Sequence, residues 1–322
     1  MIKQRDISID IIKFLAALLI TNSHMELLYG KYSIFATGGA IGDVLFFFCS
    51  GFTLFLGRTG RFDNWYKRRI NRIYPTVFAW AILSTAFFSK EKNILEIIIH
   101  GGGWFVTCIM IYYVILFFVR KFMFDKLKLA FWISSGIVLI WYLFIDNTPD
   151  YNMYGSTYFK WGHYFLFMLL GAIIGVSNKK DESNFTFTGL KLLGSILLFY
   201  IVLILGRKYV IIHDLQIISL IPLLGVTYYF YRLCNSLPMK KLYDNKYVGP
   251  VIKIIGGLCL EIYLVQYSLF TDKMNHLFPL NLFIMLFKFR KYSNNVIKKA
   301  KEFDNSMIIT ILMSPDKRYS TL

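Results

Sequence analysis

Apolar residues along this chain recur in long blocks rather than at alternate positions. Runs of roughly twenty residues, enough to cross a hydrocarbon layer about 30 Å thick at 1.5 Å per helical residue, fall at residues 9–28, 36–56, 73–88, 104–119, 129–145, 161–176, 190–205, 216–231 and 251–270. A tenth run, 277–287, reaches only about half the required length and contains Pro279. The pattern predicts an all-α integral membrane protein, a polytopic bundle of about nine to ten transmembrane helices. No repeat and no Pro- or Ser-rich linker divides it, so one domain is expected over residues 1–287. From Lys288 onward lysines and arginines interrupt any further span, and the expectation is a shortened last span followed by a basic, poorly ordered tail, 288–322. The first run lacks a small-residue cleavage site and is long enough to stay in the membrane, so it is expected to act as its own insertion signal.

Composition strengthens this picture, with 56 % hydrophobic and 18 % aromatic residues. The net charge of +17, from 36 basic and 19 acidic residues, would point to nucleic acid in a soluble protein. Its distribution argues otherwise. Lys3 and Arg5 precede the first span; Arg58, Arg61, Lys67, Arg68, Arg69 and Arg72 separate the second from the third; Arg120, Lys121, Lys126 and Lys128 follow the fourth. Lys179 and Lys180 follow the sixth, and Lys240, Lys241 and Lys246 the eighth. The intervening loops carry only Lys31, Lys90 and Lys92, Lys160, then Arg207 and Lys208. By the positive-inside rule the amino terminus and every second hairpin are cytoplasmic, and no nucleic-acid partner is expected. The segment 90–100 is amphipathic and is expected at the outer interface.

Few residues then remain as candidates for chemistry. Cys49, Cys108, Cys234 and Cys259 lie in or beside apolar runs without metal-ligand spacing and read as packing residues. There is no Gly-x-Ser-x-Gly elbow, phosphate loop or His-Glu-x-x-His, and no metal is expected. Glycine groups at 38–39, 101–103 and 256–257 read as turns or close helix approaches. Lys13 and His24, eleven positions apart, share one helix face about 16 Å apart along the axis. Ionisable groups at such depths call for a function. His24 ends the outgoing first span and Asp43 begins the returning second, so their depths match. A carboxylate on one imidazole nitrogen would raise the basicity of the other, as a general base requires. The plainer reading is an interfacial histidine bonded to a carbonyl. Asp10 and Lys13 offer a local ion pair, or simple anchoring of the helix end. Arg69 and Arg72 precede Pro75 and could grip a phosphate at the cytoplasmic mouth or only anchor topology.

Three segments carry a resemblance: Asp10-Ile-Ile-Lys13-Phe-Leu-Ala-Ala with His24, Gly42-Asp43-Val-Leu-Phe46-Phe47-Phe-Cys-Ser50-Gly51-Phe52, and Arg69-Ile-Asn-Arg72-Ile-Tyr-Pro75. In this order they resemble acyltransferase family 3, integral membrane O-acyltransferases acting on bacterial surface glycans. Weaker similarity continues through Trp104-Phe105, Leu170-Gly171 and Cys259-Leu-Glu261-Ile-Tyr263-Leu264, so that residues 6 to about 285 are covered. The resemblance implies a bundle of about ten helices in the bacterial cytoplasmic membrane. It implies acyl-coenzyme A as the donor, with acetyl as the expected acyl group and succinyl or a longer acyl as the alternatives, and a carbohydrate or lipid-linked glycan hydroxyl as the acceptor. It makes His24 the catalytic histidine and Arg69 and Arg72 the donor-side basic pair. Lys13 stands where the family usually has arginine, keeping charge but losing the bidentate fork, and Gln266 stands where a histidine is usual.

The expected reaction joins both lines. Coenzyme A phosphates meet Arg69 and Arg72, with Lys13 further in, while the pantetheine arm carries the thioester toward His24, which Asp43 orients. Direct transfer and an acyl-histidine intermediate both stand. Two other readings stand beside it: a transporter or flippase for a lipid-linked glycan, and an inactive, truncated acyltransferase relative.

Overall fold

A computed structural model describes residues 6–57, 60–88, 93–146, 148, 150–177 and 183–270. All regular structure among them is helical. The expectations for residues 277–287 and for the tail, and the charges at Lys3, Arg5, Arg58, Lys90, Lys92, Lys179 and Lys180, lie outside the described residues.

The chain begins with α1 (Ile7–Ser23), opened by Asp6, whose carboxylate accepts from Ser8 N at 3.0 Å. It bends by 59° into α2 (Glu26–Tyr29) and the 3-10 turn that follows. Next come α3 (Gly39–Leu56), the 27-residue α4 (Phe62–Phe88), the short α5 (Ile94–His100), α6 (Gly103–Phe122), α7 (Leu127–Leu143) and α8 (Lys160–Ser177). The remainder is α9 (Phe185–Lys208), α10 (Val210–Asp214), α11 (Leu220–Cys234), α12 (Leu237–Asp244), α13 (Val248–Gly257) and α14 (Cys259–Leu269), the last two meeting at 65°.

Six described stretches are long and apolar enough to cross a membrane, or eight if each bent pair is one span. The expected count of nine to ten is not reached among the described residues, and the tenth run, 277–287, lies outside them. The missing member is the run 73–88. It is the second half of α4, a helix whose first half carries Lys67, Arg68, Arg69 and Arg72, and it does not qualify as an apolar span. The basic segment expected to be a loop is thus helical from Phe62, and Trp65 within it is 1 % exposed, packed against Tyr113 and Phe117 of α6. The burial of Trp65 against Tyr113 and Phe117 favours continuing the helix through its charges.

Helix α3 is the centre of the bundle. Within its apolar stretch 61 % of residues are buried inside the protein, against 22 % for the stretch containing α7 and 17 % for α9, whose apolar faces are left for lipid. Its main partner is α8, and two glycines set the spacing: a Cβ on Gly51 would lie 1.8 Å from the Met168 carbonyl oxygen, and one on Gly171 2.1 Å from that of Phe48. Backbones in such contact gain dispersion that larger side chains forbid, the usual logic of helix association in lipid. On the opposite flank Gly42 admits Ile20 of α1, and Gly256 of α13 sits on the Asp10 carbonyl. The turns expected at residues 38–39 and 101–103 are present, and Gly38 (φ 103°) and Gly103 (φ 68°) adopt conformations that only glycine takes readily.

The near end is the one at which α1 begins; it also holds the C-termini of α3 and α6. There Arg120 donates to Leu54 O at 2.7 Å and Gly57 O at 2.6 Å, closing the orphan carbonyls of α3. At the far end Tyr142 donates to Asp214 O, and Gln216 takes the Met153 N–H while donating to Tyr151 O. Helix α5 is tied back to its neighbours by Tyr74 Oη on Ile98 O (3.0 Å) and Thr107 Oγ1 on Ile99 O (2.7 Å).

Candidate active site

Helix periodicity aligns Lys13, Ile20 and His24 on one face of α1, and Asp43, Phe46, Ser50 and Thr53 on one face of α3. Both faces meet a cavity of about 200 Å³ that Lys13, Ile20, Phe46, Ser50 and Thr53 line together with Arg72 of α4, Phe105, Ile109 and Tyr113 of α6, and Glu261 and Tyr263 of α14. Two cations and one carboxylate therefore share a pocket inside an apolar bundle. Glu261 Oε1 accepts from Thr76 Oγ1 at 3.4 Å, and Cys259 Sγ donates to Gly256 O (3.1 Å) and Lys13 O (3.5 Å), pinning the α13–α14 bend against α1.

The two arginines separate. Arg69 is half-buried; its guanidinium lies 4.1 Å from the Trp65 ring centroid and donates from Nη1 to Trp65 O at 3.0 Å. Arg72, one turn on, faces the cavity. They are not a joint fork: Arg69 braces the helix, and the exposed Arg72 lines the cavity.

His24 is the C-cap residue of α1, half-buried, its backbone N–H bonded to Ile20 O (3.3 Å) and Thr21 O (3.2 Å). It stands one turn beyond Ile20, the cavity's far-end residue on α1. Asp43 likewise stands one turn beyond Phe46. Because Gly42 faces Ile20 and Gly39 faces Ser23, Asp43 is level with Leu19 and Ile20, about 6–7.5 Å nearer the near end than His24. The depths expected to match thus differ by a turn.

Asp43 belongs to a cluster that the sequence did not single out. Tyr164 of α8 donates to its Oδ2 at 3.4 Å, and its electrostatic partner is Lys160, which is 9 % exposed and holds its ammonium 4.0 Å from the Trp104 ring centroid. Phe47 and Trp104 both stack on Tyr164 and touch each other (centroids 6.4 Å apart), making an aromatic wall beside the carboxylate. Lys160 had been counted among outer loop charges, yet it is the first residue of α8, where the helix dipole is unfavourable to a cation; the Trp104 face and Asp43 compensate. A lysine immediately ahead of an apolar helix was the available signal. Gln266, fully buried, leaves both atoms of its amide without a partner among the described residues. Among those residues no three of His, Cys, Asp and Glu gather as metal ligands.

No curated protein and no solved structure matches the chain. A family model of the acyltransferase domain does, over residues 6–289, a stretch that holds the cavity and both clusters flanking it. With nearly the whole described bundle inside that match, the chain belongs to acyltransferase family 3.

Proposed function

We propose that this membrane acyltransferase moves an acetyl group from acetyl-coenzyme A to a hydroxyl of a cell-surface or lipid-linked glycan, in the bacterial cytoplasmic membrane with the near end cytoplasmic. The observation that carries the reading is the cavity lined by Lys13 and Arg72, whose far end stops one turn short of His24 and Asp43. The near-end orientation draws its support from the basic residues gathered there, Arg61, Arg120 and Lys121 among them.

In this reading the pantetheine arm enters from the near end and lies along Lys13 and Arg72, and the thioester stops beside Phe46 and Ile20. The acceptor hydroxyl arrives from the far end. Its proton passes to His24, its oxygen bonds to the thioester carbonyl carbon, the C–S bond breaks, and the imidazolium returns the proton to the departing thiolate. Asp43, held by Tyr164 and Lys160, supplies negative charge near the imidazolium as it forms. Positioning alone contributes much of the rate, because donor and acceptor meet only in a passage between helices.

The test uses purified protein in lipid nanodiscs with labelled acetyl-coenzyme A and a preparation of cell-envelope glycan. Release of free coenzyme A together with label in the glycan is expected, and His24→Ala abolishes both while leaving membrane levels unchanged. Glycan movement across the bilayer without coenzyme A release would identify a transporter instead, and wild-type transfer by His24→Ala would remove the histidine from the reaction.

A further inference from the structure

The cavity changes character along its length. Its far-most lining residues on α1, α3, α6 and α14 are Ile20, Phe46, Phe105 and Tyr263, so four helices each close its far rim with an apolar body. Contacts fix the direction of α14. Gly256 sits on the Asp10 carbonyl, Cys259 on that of Lys13, and Phe270 packs with Met25 and Leu28, so the chain here runs toward the far end alongside α1. Lys13 and Glu261 therefore lie on the near side of the rim, about two turns before Ile20 and about half a turn before Tyr263. Side chains tilt toward the N-terminus of their helix, so both charges lean away from the rim, while Phe46 and Phe105, on helices that begin at the far end, lean into it.

The rings of this collar touch one another. Phe105 is the hub, its centroid 6.0 Å from that of Phe46 and 5.6 Å from that of Tyr263. Phe47 stands behind it at 4.9 Å, and the Tyr263 hydroxyl abuts Gly103, where a Cβ would lie 2.8 Å from it. Rings packed and backed in this way have little room to part. Phe46, half-buried, has the fewest supports: Phe105 is its one ring neighbour among the described residues.

Length and charge decide what the collar admits. With the thioester beside Phe46 and Ile20, the acyl group lies among the rings, and from Phe46 to Asp43 helix α3 rises only about 4.5 Å. An acetyl methyl extends about 1.5 Å past the carbonyl carbon, whereas a hexanoyl chain, at about 3.8 Å per three bonds, extends about 6 Å. The first ends inside the collar; the second overruns Asp43 into the space the acceptor needs. A succinyl group would set its carboxylate about 3.8 Å ahead, among the negative faces of aromatic rings, with Asp43 in front and Lys13 behind. An unpaired charge there is costly. We infer that Phe46, Phe105 and Tyr263 form an acyl-selecting collar, which accepts a short uncharged acyl group and rejects long or carboxylate-bearing ones. This rests on acyl-coenzyme A being the donor.

Equilibrium binding to the protein in nanodiscs tests it without an acceptor, with labelled acetyl-coenzyme A displaced by the unlabelled acetyl, hexanoyl or succinyl thioester and empty nanodiscs correcting for partition into lipid. The wild type should bind the acetyl thioester at least about tenfold more tightly than either of the others. F46A removes the ring in the way of the longer chain and should bring hexanoyl within about threefold of acetyl, with the milder F46L moving the ratio in the same direction. Succinyl should stay rejected in both, because neither variant supplies a counter-charge. Equal affinity of the wild type for all three thioesters would overturn the inference whatever the variants do, and so would an unchanged hexanoyl-to-acetyl ratio in F46A and F46L. If the wild type binds no acetyl-coenzyme A at all, the donor assignment falls first and takes the collar with it.

Discussion

Replacing Gly51 with alanine tests the packing that holds the site. The added Cβ would sit 1.8 Å from the Met168 carbonyl oxygen, whereas ordinary contact begins at 3.4 Å, and the obstacle is backbone rather than a flexible side-chain tip. Helices α3 and α8 must therefore part by about 1.6 Å along their closest approach, a gap that forfeits more than half the dispersion of each contact it opens. Overpacking of this kind costs about 1–3 kcal/mol or more, which at about 2–4 °C per kcal/mol lowers the melting temperature by roughly 2–12 °C. Gly171→Ala, blocked at 2.1 Å by the Phe48 carbonyl oxygen, should behave alike. Gly136 in α7 and Gly194 in α9 supply the control, since nothing lies within 4 Å of a Cβ at either. There alanine removes the helix penalty of glycine, about 1 kcal/mol, and raises the melting temperature. Thermal unfolding of the four variants in one detergent reads the sign directly. Equal shifts at Gly51 and Gly136 would mean that α3 and α8 do not approach as described. Because α3 carries Asp43, Phe46, Ser50 and Thr53, the Gly51 variant should also lose acyl transfer in protein that remains folded at the assay temperature.

Three further outcomes are expected. Lys160→Met and Asp43→Asn should each destabilise, and the double variant by less than the sum, if the two charges offset one another; additive losses in thermal unfolding would show the two uncoupled. Arg69→Lys should lower the melting temperature by releasing Trp65 while Arg72→Lys lowers acetyl-coenzyme A affinity without changing it, and the reverse pattern would exchange their assignments. In a variant lacking Cys49, Cys108, Cys234 and Cys259, a cysteine at position 31 should react with an impermeant thiol reagent outside intact cells and one at position 61 should not; opposite labelling would invert the topology.

The spans that hydropathy located, such as 36–56 and 161–176, were legible because lipid asks only for length and apolarity, and a twenty-residue run declares both. The breaks at His24 and Leu258 were not, since no proline marks either and the α13–α14 break is held by contacts remote in sequence, Gly256 on the Asp10 carbonyl and Cys259 on that of Lys13. The basic run before Pro75 misled for a related reason. Its charges spoke for a loop, while the single buried Trp65, which fixes the helix, carries no weight in a window average. At the site, periodicity aligned Lys13 with His24, of which Lys13 lines the cavity and His24 caps the helix beyond it, and it could not assign Asp43 to Lys160 and Tyr164, because α8 meets α3 through glycines about 120 residues apart.

Charge balance gives these parts a direction. The cavity holds Lys13 and Arg72 against Glu261, and the near-end surface carries Arg61, Arg120 and Lys121 against Asp63, so positive charge is in excess on that side. The far-end cluster sets one cation, Lys160, against one carboxylate, Asp43, behind aromatic walls. Cations kept in a low-dielectric bundle with too few counter-charges are costly unless an anion or water shares the space. An anionic donor repays that cost on the near side, and a neutral hydroxyl asks nothing of the far side but hydrogen bonds. In the proposed reaction, therefore, sidedness is built into the electrostatics: the nucleotide stays where the positive charge is, and only the acyl group reaches the turn where His24 stands.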